Sequence, residues 1–122
     1  MGLFGDLFKT KEDTYSDINW IQLQTIEQLN KIVEDSKHKT QAIFKHSTRC
    51  GISNMVIKNF EKQLDESKHI DLYYLDLLKF REVSNAITIK FNIQHQSPQL
   101  VVIKNTKVVA HASHNEILSI KL

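Results

Sequence analysis

The chain has 122 residues, 41% hydrophobic and 25% charged, the composition of one ordinary globular domain that buries about two-thirds of its unfolded surface. A formal net charge of +2, with no dense Lys/Arg run, argues against a nucleic-acid partner. No segment approaches the ~20 apolar residues of a membrane span, and the single cysteine excludes an internal disulfide framework and fits a reducing compartment.

Residues 1–14 are expected to form an N-terminal arm, with the domain proper over 15–122. Leu3, Phe4, Leu7 and Phe8 can share one short apolar helical face, and Lys9 to Thr14 is charged and turn-like. The arm lacks the basic start and long apolar core of a secretory leader. Gly2 invites acylation, but position 6 is Asp6 rather than Ser or Thr. A cytoplasmic protein is expected.

Asn19 to Leu23 is a short strand candidate. Thr25 and Gln28 then supply capping-box chemistry, and Ile26, Leu29 and Val33 fall on one helical face. Gln41 to Ser47 reads as a strand. Beyond position 50, Ile52, Met55, Val56, Phe60 and Leu64 recur at helical spacing and are expected in the core. Ile70 to Leu77 is a buried strand. Lys79 to Phe91 returns to helical spacing, with Val83, Ala86, Ile87 and Phe91 inward. Leu100 to Ile103 is a continuous apolar strand; Lys104 to Lys107 turns, and Val108 to Ala112 pairs back as a hairpin. Ser113 with Glu116 forms a second capping-box pair before a short last helix. The order is βαβαβαββα. Strand–helix–strand units favour parallel pairing and the closing hairpin is antiparallel, which predicts a mixed α/β sheet of five strands with helices on both faces.

Cys50 lies where the strand ending near Ser47 gives way to the next helix. Free backbone N–H groups and the helix dipole favour a thiolate there. Arg49 adds a permanent positive charge beside it. Three residues on stands Ser53, where a dithiol redox protein carries its second cysteine; Ser53 is expected to donate a hydrogen bond to the thiolate. One thiol cannot close an internal disulfide, so a redox cycle must pass through a mixed disulfide with another molecule. The six histidines are scattered without metal-ligand spacing, so no metal site is expected. His46, four residues before Cys50 on a strand, is not counted among the catalytic groups. The single proline, Pro98, opens the fourth strand, where its missing N–H is tolerated.

This order, with a reactive cysteine after the second strand and a proline opening the fourth, resembles the thioredoxin fold. The resemblance implies a cis Ser97–Pro98 bond facing the thiol. The stretch Phe44-Lys45-His46-Ser47-Thr48-Arg49-Cys50, followed by Ile52-Ser53, is similar to the YtxJ-type monothiol bacilliredoxins. Tyr73-Tyr74-Leu75-Asp76, Arg81-Glu82-Val83-Ser84 and His95-Gln96-Ser97-Pro98-Gln99 extend the match to about residues 18–120. One departure is Gly51, where that family often has proline. The resemblance implies that Cys50 attacks the bacillithiol sulfur of an S-bacillithiolated protein. It implies S-thiolated client proteins and a low-molecular-weight thiol as partners, with bacillithiol a co-substrate rather than a bound cofactor. Thr48, Ser97 and Pro98 would border the bound thiol, Ser47 and Thr48 mainly setting the turn. Dithiol relatives carry a buried acid six positions before the cysteine; here that position is Phe44. The alternative is an iron–sulfur cluster carrier, because Cys50-Gly51-Ile52-Ser53 also resembles the Cys-Gly-Phe-Ser of monothiol glutaredoxins.

Overall fold

The computed structural model describes residues 18–65 and 68–122; the expected arm over 1–14 lies outside them. The elements are β1 (Ile21–Gln22), α1 (Ile26–Asp35), β2 (Thr40–His46), α2 (Gly51–Gln63), β3 (Ile70–Asp76), α3 (Arg81–Phe91), β4 (Gln99–Lys104), β5 (Lys107–Ser113) and a closing 3-10 helix (His114–Ser119). The five strands form one mixed sheet in the order β1-β3-β2-β4-β5. β1, β3 and β2 run parallel, whereas β4 is antiparallel to both β2 and β5. The helical unit joining β3 to β4 therefore does not yield a parallel strand. Residues 92–98 instead deliver the chain to the C-terminal end of β2, the end that leads to Cys50.

Local chemistry explains several boundaries. Thr25 caps α1: its hydroxyl accepts from the Gln28 N–H at 3.2 Å, while the Gln28 side chain accepts from the Thr25 N–H at 3.0 Å. Asn92 ends α3 in the left-handed region with φ 52°. Asn105 and Thr106, both at positive φ, make the two-residue turn between β4 and β5. The second capping box does not form. Ser113 makes no side-chain cap, His114 sits at φ 56°, and the segment winds as a 3-10 helix whose first N–H bonds the Pro98 carbonyl at 3.0 Å.

Two cores sandwich the sheet. Leu29, Ile32, Val83 and Ile87 from α1 and α3 pack on Ile43, Tyr73, Leu75, Val101 and Ile103. On the other face Val56, Ile57 and Phe60 of α2 pack with Ala42, Phe44, Leu72, Leu100, Val102 and Ile117. Successive strand side chains point to opposite faces, so β2 serves both cores and all its residues from Gln41 to His46 are buried. Two helical faces are rotated from the sequence reading. Ile26 is exposed while Ile32 is buried in α1. In α2, Ile52 and Met55 are about half exposed, at 51% and 53%, while Ile57 is buried. The exposed residues lie near the starts of the helices: Ile26 is the first residue of α1, and Ile52 and Met55 are the second and fifth of α2.

Candidate active site

β2 ends at His46, and Ser47 to Arg49 turn the chain. The Cys50 N–H closes that turn on the Ser47 carbonyl at 3.1 Å. Cys50 is the N-cap of α2, with extended φ −102° and ψ 121°, and its carbonyl accepts the first helical bond from the Asn54 N–H at 3.0 Å. Its thiol is free and half-buried. A side chain at a helix N-terminus meets unsatisfied N–H groups and the positive end of the dipole, which favours an anion.

Arg49 and Thr48 are exposed on the turn, and the Thr48 carbonyl accepts from the Asn54 carboxamide at 3.4 Å. Ser53 is fully buried, and its hydroxyl bonds two groups other than the thiol. It accepts from the Ser47 N–H at 3.1 Å and lies 2.7 Å from Nδ1 of His46. The bond between Ser53 Oγ and Nδ1 can run either way, the hydroxyl donating to a bare Nδ1 or accepting from a protonated one. His46 is itself buried. Burial pushes its pKa below the ordinary histidine value; the Asn54 side chain and the Asp76 carboxylate oppose the shift without reversing it. Tyr74 and Phe44 flank the ring, with centroids 5.4 Å and 6.3 Å away.

The Ser97–Pro98 bond is cis. Gln99 pairs with Lys45 across the β4–β2 ladder, so Pro98 stands next to it at the end of β2 that leads into the cysteine turn. Pro98 is buried, and the Ser97 hydroxyl is buried without a hydrogen-bond partner among the described residues. The loop before β4 is held from below. The Gln99 carboxamide donates to the Gln94 carbonyl at 3.0 Å, and the Lys45 amine lies 2.8 Å from Nδ1 of His95. Lys45 is wholly buried, and burial brings its pKa down to about 8.

The structure thus brings Cys50, Ser53 and the Ser97–Pro98 bond to one edge of the sheet, and adds His46 and Lys45, which the sequence reading left out. The signal for His46 was strand alternation: with Ala42 and Phe44 it faces α2, which carries Ser53.

Gly51 occupies the first helical position. A Cβ there meets nothing within 4 Å, and its φ is not positive. Proline suits this position because the N–H has no helical partner, and the extended backbone of Cys50 is what a residue before proline requires. Gly51→Pro is expected to stabilise the domain by about 0.5–1 kcal/mol, through the unfolded chain. A urea midpoint below that of the wild type would contradict this.

A lone thiol on a helix N-cap, beside a cis-proline in a sheet of this topology, defines a monothiol thiol-disulfide oxidoreductase of the thioredoxin fold. The chain matches the family described as monothiol bacilliredoxin BrxC over residues 21–122, and it belongs to that family. A solved structure described as "a putative oxidoreductase with a thioredoxin fold" is 34% identical, with a TM-score of 0.71, covering 81% of this chain and 87% of that one. The Schistosoma mansoni thioredoxin pre-protein (24% identity, TM-score 0.64, 84% and 91% covered) shares the fold. So does Trypanosoma brucei brucei thioredoxin, at 17% identity, TM-score 0.64 and 80% of each chain. Among the described residues, no helix is long and apolar enough to cross a membrane.

Proposed function

We propose that the protein removes bacillithiol, or a similar low-molecular-weight thiol, from S-thiolated proteins. The observation that carries this reading is the half-buried Cys50 on the α2 N-cap with Ser53, not a second thiol, three residues on. The Cys50 thiolate attacks the bacillithiol sulfur of a protein–bacillithiol disulfide. The Cys50–bacillithiol disulfide forms, the old S–S bond breaks, and the client cysteine leaves as a thiolate that takes up a proton. A second bacillithiol thiolate then attacks the bacillithiol sulfur on Cys50, forming bacillithiol disulfide and returning the Cys50 thiolate. No resident cofactor takes part.

The surroundings suit such a substrate. A buried hydroxyl without a partner costs about 1–3 kcal/mol, and the Ser97 hydroxyl gains one when a polar thiol ligand lies along the loop. Ile52 and Met55, exposed in the first two turns of α2, offer an apolar contact for a client protein. Thr48 and Arg49 are exposed on the turn that leads into Cys50. The chemistry fits the cytoplasm, where free thiols stay reduced.

The test is intact-mass measurement after incubating reduced protein with an S-bacillithiolated client and blocking free thiols. One bacillithiol adduct on Cys50, with release of the client thiol, is the expected result. A client that keeps its adduct while Cys50 stays free would overturn the reading; a glutathionylated client run in parallel reports the choice of thiol.

A further inference from the structure

The chain places Phe44 where dithiol relatives carry a buried acid, yet a thiol that turns over must shed its proton. The hydrogen bonds beneath Cys50 point to where it goes. Ser53 is the third residue of α2 and Cys50 is its N-cap, so the two residues belong to one helical turn. The Ser53 hydroxyl is fixed from behind by the Ser47 N–H and ends on Nδ1 of His46, and neither Ser53 nor His46 is open to solvent.

We propose that His46 is the proton acceptor for Cys50, reached through the Ser53 hydroxyl. The path requires a Cys50 rotamer that turns Sγ toward Ser53 Oγ, a position the thiol, which makes no side-chain cap hydrogen bond, does not hold in the resting structure. The thiol proton passes to Ser53 Oγ as the Ser53 proton passes to His46 Nδ1. The result is a Cys50 thiolate, a serine hydroxyl now donating to it, and an imidazolium whose Nδ1–H donates to the same oxygen. No proton is gained or lost overall. When Cys50 enters a mixed disulfide, the imidazolium loses its anionic partner and returns its proton to Ser53 Oγ as the Ser53 proton passes to the departing client thiolate, which leaves as a thiol. His46 acts through Ser53 and is a positioning residue. The charged and titratable groups around its ring are Asp76 and Tyr74 on the neighbouring strand β3; α2 contributes the neutral Ser53 and Asn54. Asp76 favours the imidazolium, and burial resists it until the thiolate forms.

The proposal rests on Cys50 reacting as a thiolate and not on bacillithiol, so it is tested with iodoacetamide alone. First, imidazole 15N shifts of His46 are followed against pH in reduced protein and in protein alkylated at Cys50. Imidazolium should persist about one pH unit higher in the reduced protein, the effect of one close opposite charge, and the difference should vanish in Ser53→Ala. Second, the alkylation rate at pH 7 is measured for His46→Gln, Ser53→Ala and the double variant. Each single variant should lose about tenfold, and the double no more than either, because both interrupt one path. Identical His46 titrations in the reduced and alkylated proteins overturn the proposal, as do unchanged rates or additive losses. The titration comparison uses wild-type protein, so it stands even where a variant fails to fold.

Discussion

Replacing Cys50 with serine is expected to reduce thiol transfer to the uncatalysed background while the domain stays folded. Cys50 is the chain's sole cysteine, so no other side chain can form the mixed disulfide. The cost to stability is small because the thiol is half-buried and makes no cap hydrogen bond. Serine is moreover among the preferred N-cap residues, worth about 1 kcal/mol over a residue that cannot cap. Release of a chromogenic or mass-labelled thiol from a thiolated client, followed beside a urea melt, checks both halves. Residual turnover in the variant would sink the single-nucleophile mechanism. A collapse of stability would mean that the sulfur packs as a core atom.

The features legible in the sequence are those set by chemistry within a few residues. Thr25 and Gln28 lie three apart, the two-residue turn at Asn105 and Thr106 sits between apolar runs, and Cys50 follows a strand and precedes a helical pattern. The cis bond at Ser97–Pro98 was legible for another reason, the resemblance of the whole element order to the thioredoxin fold. What was not legible depends on contacts distant in sequence or on the edges of periodic stripes. Helical spacing puts Ile52 and Met55 beside Val56, but it cannot tell which edge of the apolar stripe the sheet leaves uncovered. The same limit hid the exposure of Ile26. The Ser113–Glu116 spacing matched a capping box, yet the bond from His114 to the Pro98 carbonyl holds the segment in another geometry. Most instructive are the polar residues of β2. Nothing near Lys45 in the sequence marks it as buried, and its partner His95 is 50 residues away. Only the assembled sheet, covered on both faces, shows that it has no water.

That buried amine leads to the other large expected effect. Lys45→Met should stabilise the domain at pH 7 by up to about 3 kcal/mol, the free energy that corresponds to lowering a lysine from 10.5 to about 8. The cause is burial of the charge; its one side-chain partner, the imidazole of His95, is neutral because Nδ1 must accept from the ammonium. Burial also lowers the His95 pKa, with Lys45 and then Arg81 adding to the shift, so no anion compensates the lysine from that side. Methionine fills similar volume without a charge to desolvate. The sign of the pH dependence follows. Between pH 8 and 10.5 the unfolded chain holds a proton on Lys45 that the folded chain has shed, so wild-type stability should rise with pH across that window. Below pH 8 the full penalty is present. The advantage of Lys45→Met should therefore be largest at neutral pH and shrink toward pH 10.5. A gap between the two urea curves that stays constant over this range would show that the lysine is not desolvated. The same substitution should lower thiol transfer. The Lys45–His95 bond ties β2 to the loop carrying Ser97 and Pro98, and methionine removes it; the Gln99–Gln94 bond that remains ties the loop to β4 instead. A more stable and less active variant is the expected outcome, with the loss in the rate of mixed-disulfide formation and little change in Cys50 alkylation by iodoacetamide, which does not need the loop.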